Sequence, residues 1–197
     1  MRKISYRELK NNIHTGLYLD EKDYSYDLIV SSIPRIRKIC KWYHVPFKVS
    51  EVKSKNINSL KDIEIAINMK NKRARIEFIY DKVCDYLDYD FIKKNKCLFK
   101  DDKCISDRGK NYDKNCGCCR ARNGEVCQYL EDGRCTIRNL GCKFFVCPTL
   151  KKKGVTYKTT DFPLLKYFCS FRQRIVLRYT IFVPKEKVIE RVLNYRW

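Results

Sequence analysis

Seven cysteines stand within 32 residues of this chain, from Cys116 to Cys147. Their order is Cys116-Gly117-Cys118-Cys119, seven residues, Cys127, seven, Cys135, six, Cys142, four, Cys147. Nine of the twelve cysteines fall between residues 96 and 150, where apolar periodicity is almost absent. The run from Asp101 to Asn115 is polar and irregular. Such a stretch does not bury enough apolar surface to order itself. Cross-links or bound metal must supply the missing free energy.

Two frameworks compete for clustered thiols, disulfides and metal sites. Disulfides persist in oxidising compartments. The N-terminal MRKISYRELKNNIH is basic but has no apolar core and no small-residue cleavage site, so no secretion leader is expected. The longest apolar stretch, Ile175 to Val183, is interrupted by Arg178 and is far shorter than the roughly 18 residues of a membrane span. The expectation is a cytoplasmic protein with no membrane segment and reduced thiols, which favours metal. Soft thiolates select zinc, copper(I) or iron–sulfur clusters over magnesium and calcium. Seven or eight sulfurs exceed one tetrahedral zinc site, so two four-thiolate sites or one cluster with spare thiols fit. The chain has two histidines, His14 and His44. This excludes three-histidine zinc, two-histidine metalloprotease helices and Cys/Cys/His/His fingers. Spacing alone leaves iron–sulfur and zinc both open.

The remaining sequence reads as helices around this segment. Ile29, Ile33, Ile36, Cys40 and Tyr43 form one helical face, with Pro34 producing a kink or a start after Ser31-Ser32. Residues 46–53 suit a short strand. Ser59 caps a helix carrying Leu60, Ile63 and Ile67, although Ile63, Ile65, Ile67 and Met69 also alternate as in a strand. Ile76, Ile79, Val83 and Leu87 mark a further helix. Asp161 is placed as a cap with Pro163 in the first turn, ahead of one helix with Leu165, Phe168, Arg172, Ile175 and Tyr179 on its face. A last helix after Pro184 turns Val188, Ile189, Val192 and Leu193 inward, with Tyr195 and Trp197 docking. Cys40, Cys84 and Cys169 lie on or beside these faces and read as packing thiols. The expected fold class is α-rich, with α+β as an alternative. It has three stretches: a mainly helical part over 1–95, the cysteine-cluster segment over 96–150, and basic helices over 151–197 packing on the same core.

Charge adds a second expectation. The chain holds 43 basic and 23 acidic residues, a net +20. Residues 148–197 carry 12 basic and 3 acidic groups, so 12 − 3 = +9 of that charge lies in the last quarter. Lys151, Lys152, Lys153, Arg174 and Arg178 are candidate contacts to nucleic acid or to an acidic protein partner. Interleaved aromatic and basic residues from Lys166 to Arg174 suit base stacking, but an amphipathic core helix is the simpler reading.

Three elements carry a resemblance. They are Cys116-Gly117-Cys118-Cys119, then Val126 to Ile137 (VCQYLEDGRCTI), then Arg138 to Cys147 (RNLGCKFFVC). In that order they resemble the YkgJ-type cysteine-cluster family of bacterial and archaeal proteins. Its members carry CGxCC, CxxLxxDGxCxI and RPxxCRxFxC. Here the first element is one residue shorter, Asn139 stands for the proline and Lys143 for the arginine. The resemblance implies a zinc- or iron-chelating module, with an iron–sulfur cluster of the 4Fe–4S type as the expected cofactor and zinc as the alternative. It implies ligands among Cys116, Cys118, Cys119, Cys127, Cys135, Cys142 and Cys147, with the family's upstream cysteine at Cys104 or Cys97. A structural, redox or electron-transfer role would follow. Larger relatives are associated with lysine N-methylation of flagellin, so a protein-modifying enzyme is a further alternative. No GxGxxG loop and no CxxxCxxC run is present.

Overall fold

The computed structural model describes residues 2–52, 55–93, 99–100, 103–104, 129–131, 134–146 and 148–194. The fold is α-rich. Its strands, among the described residues, come as three two-stranded pairs. The chain forms two compact units, residues 1–79 with 162–170, and residues 80–161 with 171–197.

The first unit is built on a strand–helix–strand motif. Strand β1 (Leu17–Asp20) pairs in parallel with β2 (Phe47–Ser50), Leu17 opposite Phe47 and Asp20 opposite Ser50. Helix α2 (Tyr26–Tyr43) makes the crossover, as parallel pairing requires. Ile29, Ile33, Ile36 and Ile39 are fully buried along its inner face, each contributing roughly 1.5–3 kcal/mol of apolar burial. Helix α1 (Tyr6–Asn11) starts with a reciprocal capping box: Ser5 Oγ accepts from Glu8 N, and Glu8 accepts from Ser5 N. Two side chains of α3 (Leu60–Asn68), one turn apart, complete the open edge of β2. Glu64 accepts from Val49 N at 2.9 Å, and the Asn68 amide both accepts from Phe47 N and donates to Phe47 O, each at 2.8 Å. These contacts satisfy edge groups that would otherwise invite another strand. Helix α7 (Pro163–Phe168) returns to this unit, where Arg37 donates to Tyr167 O and lies over the Phe168 ring.

In the second unit the C-terminal half of α4 (Lys72–Asp88) runs into a π-helical turn over Tyr89–Lys93. Short antiparallel pairs follow, β3 (Phe99–Lys100) with β4 (Lys103–Cys104), and β5 (Leu130–Glu131) with β6 (Arg134–Cys135). Helices α5 (Leu140–Lys143), α6 (Pro148–Lys152), α8 (Phe171–Tyr179) and α9 (Lys185–Asn194) complete it. Tyr80, Val83, Leu87, Leu140, Leu177, Val188, Ile189 and Val192 are among its buried residues. Val146 and Leu150 make a satellite cluster with Phe91, Val155 and Tyr157.

Several expectations are corrected. Helix α2 starts at Tyr26, before Ser31-Ser32, and continues through Pro34. Its buried face makes this possible, and Ile39, not Tyr43, completes that face. Ser32 Oγ accepts from Ile4 N and donates to Leu28 O, so its buried hydroxyl is satisfied inside the helix. The alternation at Ile63–Met69 does not form a strand; Leu60, Ile63 and Ala66 face inward from α3, with Ser59 as cap. Asp161 is not the cap of α7. It ends a 3₁₀ turn over Thr159–Asp161 and accepts from Lys158 N, while Phe162 holds the cap position before Pro163. The single helix expected through Leu165 and Tyr179 is two helices, broken at the extended Cys169. Its halves belong to different units, so one stripe cannot serve both. Leu165 is buried, whereas Phe171 and Tyr179 are 67% and 69% exposed and Ile175 is also exposed. The core-helix reading of the Lys166–Arg174 aromatics therefore fails at Phe171. The last helix follows the expectation at Val188, Ile189 and Val192. Tyr195 and Trp197 lie outside the described residues.

Candidate metal centre

Cys142 is a candidate ligand within the described residues. It sits in α5, a single turn of helix, and is half-buried. The first amides of a helix have no intrahelical acceptor, and here side chains supply them. Asn139 is the cap: its Oδ1 accepts from Cys142 N at 2.8 Å, and its Nδ2 donates to Val183 O at 2.8 Å. The phenol of Tyr80 accepts from Leu140 N at 2.9 Å and donates to Arg138 O at 3.2 Å. Gly141 is required by close approach: a Cβ there would stand 2.6 Å from Thr180 O. Asn139, which replaces the proline of the resembled family, thus forms a cap that proline cannot make.

An acidic edge on α4 clamps the same turn. Asp81, Asp85 and Asp88 are spaced by four and three residues, on one side of the helix. Arg138 donates to Asp85 at 2.6 Å and lies 3.5 Å from an Asp81 oxygen. Lys185 pairs with Asp81 at 2.7 Å. Lys143, almost fully buried, pairs with Asp88. In the same unit Tyr157 donates to Asp90 in the π-helical turn. The sequence reading missed this edge. Its signal was three aspartates on one helical face in a chain with excess lysine and arginine.

Cys135 lies on β6 opposite Leu130, with Glu131 opposite Arg134. Thr136 extends the pairing: its N and Oγ1 both donate to Tyr129 O, at 2.8 and 3.1 Å. Asp132 and Gly133, between the two strands in sequence, lie outside the described residues. Cys104 lies on β4 opposite Phe99. Cys116, Cys118, Cys119, Cys127 and Cys147 lie outside the described residues, as does Cys97. Among the described residues no group of three His, Cys, Asp or Glu side chains is placed to hold a metal ion.

Two thiols are in the core, as expected. Burial pushes Cys84 up to about 12, against the pull of Lys143 and Arg138, and pushes Cys40 up to about 11. Both are held protonated near neutrality, as buried packing thiols are. Cys169 is buried too. Burial also raises Tyr80 above the usual phenol range, so it stays a donor to Arg138 O.

The basic candidates divide. Lys151, Lys152 and Lys153 are exposed at the end of α6. Arg174 is half-buried. Arg178 is committed inside its unit: it donates to Tyr157 O at 2.9 Å and lies over the Phe144 and Tyr179 rings. Among the described residues no helix is long and apolar enough to cross a membrane.

Compared with known proteins, the chain matches no protein-family model, no curated protein and no solved structure.

Proposed function

We propose that this chain is a cytoplasmic cysteine-cluster protein holding an iron–sulfur cluster through thiolates of the Cys116–Cys147 segment, with a redox or electron-transfer role. The observation that carries the reading is the locked turn at Cys142. Asn139, Tyr80, Gly141 and the aspartates of α4 fix the backbone and flanks of the turn that carries this half-buried cysteine. Ligand positions are held this way because the residues around a site fix the orientation of its ligands. The thiolate-rich donor set supports it, as does the resemblance of the three elements to the YkgJ-type family. Cys135 is held on a paired strand seven positions before Cys142. A bound cluster would supply one-electron chemistry. The chain's own part is to fix the sulfurs, and the ion pairs of Arg138 with Asp85 and of Lys143 with Asp88 hold the turn that carries Cys142.

The test is purification without oxygen, with visible absorption, iron, zinc and acid-labile sulfide measured on one sample. A brown protein with iron matching sulfide supports the reading. A colourless protein with one or two zinc ions replaces it with a structural zinc module.

A further inference from the structure

The first unit carries a surface that the metal reading does not use. Helix α1 presents Tyr6 and Lys10 one turn apart, and α2 presents Arg35, Lys38 and Trp42 at steps of three and four. The rings are exposed: Trp42 by 54%, Tyr43 by 44% and Tyr6 by 37%. The cations beside them sit on rings. Lys38 Nζ is 4.4 Å from the Trp42 centroid and 5.8 Å from that of Tyr6. Arg35 lies 5.4 Å from the Tyr6 centroid, steadied by its hydrogen bond to Ile4 O, and Lys10 lies 5.9 Å from that of Tyr43. The Tyr6 and Trp42 rings are 5.9 Å apart and inclined by 30°. Among the described residues no carboxylate forms an ion pair with Lys10, Arg35 or Lys38.

We propose that this Tyr6–Lys38–Trp42 surface binds single-stranded nucleic acid, the rings stacking on bases and the lysines and arginine meeting phosphates. Exposed aromatic faces beside cations are the chemistry of sequence-tolerant single-strand binding. A duplex hides its base faces and would leave the rings unused. A membrane interface also accepts Trp, Tyr and Lys, but insertion needs a continuous apolar face, and here cations lie over the rings. The chain's net charge of +20 is complementary to a polyanion. None of the candidate metal ligands belongs to this unit, so the surface stands or falls apart from the cluster.

The test uses the full chain as purified, with W197F making Trp42 the sole tryptophan. Oligo-uridine and oligo-thymidine of about 15 nucleotides are titrated while Trp42 emission is followed. Quenching is expected, with affinity falling steeply between about 50 and about 200 mM salt. K38E, on an exposed side chain, should weaken binding roughly ten-fold, and W42A, which lacks the reporter and is followed by the anisotropy of a fluorescein-labelled oligonucleotide, by a similar factor. Metal content, measured on the same samples, should not change. The triple variant K151E/K152E/K153E should cost less than K38E. Absence of binding at low salt overturns the proposal. So does binding without quenching, a larger loss in the triple lysine variant than in K38E, or a Trp42 response to phosphatidylserine vesicles in place of the oligonucleotides.

Discussion

The Tyr80 phenol, buried on α4, accepts the amide of Leu140 at the first position of α5. A residue sixty positions upstream thereby satisfies a helix-end donor that water does not reach. Y80F should strand that N–H and lower stability by about 1–3 kcal/mol. The expected readout is a lower urea midpoint with unchanged slope, together with faster loss of metal to a chelator. An unchanged midpoint would mean that α5 finds another acceptor.

Gly141 lies against the backbone at Thr180, just past the end of α8. G141A needs that backbone to move, because a carbonyl oxygen at 2.6 Å cannot rotate away as a side chain would. Overpacking of this kind costs about 1–3 kcal/mol. Thermal unfolding should show the loss, and metal retention should fall with it since Cys142 is the next residue.

Ligands and core thiols should separate by mutation. C135S and C142S should lose metal, while C40S and C84S should keep the metal content of the parent. Native Cys40 and Cys84 should also react slowly with an alkylating reagent, being buried and held protonated. Equal metal loss from all four variants would sink the division.

Alkaline pH should destabilise the fold through the same two thiols. Their folded values are raised, Cys84 to about 12 and Cys40 to about 11, from 9.0. The folded state therefore holds protons that the unfolded state releases, and stability falls as pH rises. The contribution is complete below about 9, the unfolded value, and is lost progressively towards 11–12. Urea midpoints measured from pH 7 to pH 11 should decline above pH 9, and C84A should flatten part of that decline.

Much of the helical skeleton was legible because it depends on local spacing. Ile76, Ile79, Val83 and Leu87 repeat with the helical period, and all four are buried on α4. Ser59 is a cap by its chemistry, and it caps α3. Phe171, Ile175 and Tyr179 repeat with the same period and face solvent. Periodicity reports that a helix has an apolar side, but not whether anything covers it. The break at Cys169 was hidden for a related reason. Each half of the stripe is locally consistent, and only membership of different units separates them.

The candidate site divides in the same way. Clustered thiols raise the expectation of ligand chemistry from the sequence alone, since donor type is a property of the residue. How the Cys142 turn is held was not visible there. Tyr80, Asp81, Asp85 and Asp88 meet residues 138 to 143 across more than fifty positions of chain, and Lys185 joins them from another forty further on. The sequence by itself determined the helical periods, the Ser59 cap, the excess of positive charge and the sulfur-rich composition, which are properties of single residues or of their spacing over a few positions. The tertiary structure decided which apolar faces are covered, which cations are committed to carboxylates or rings, and which elements fix Cys142. Those outcomes depend on close packing and hydrogen bonding between segments distant along the chain, where no local pattern carries the information.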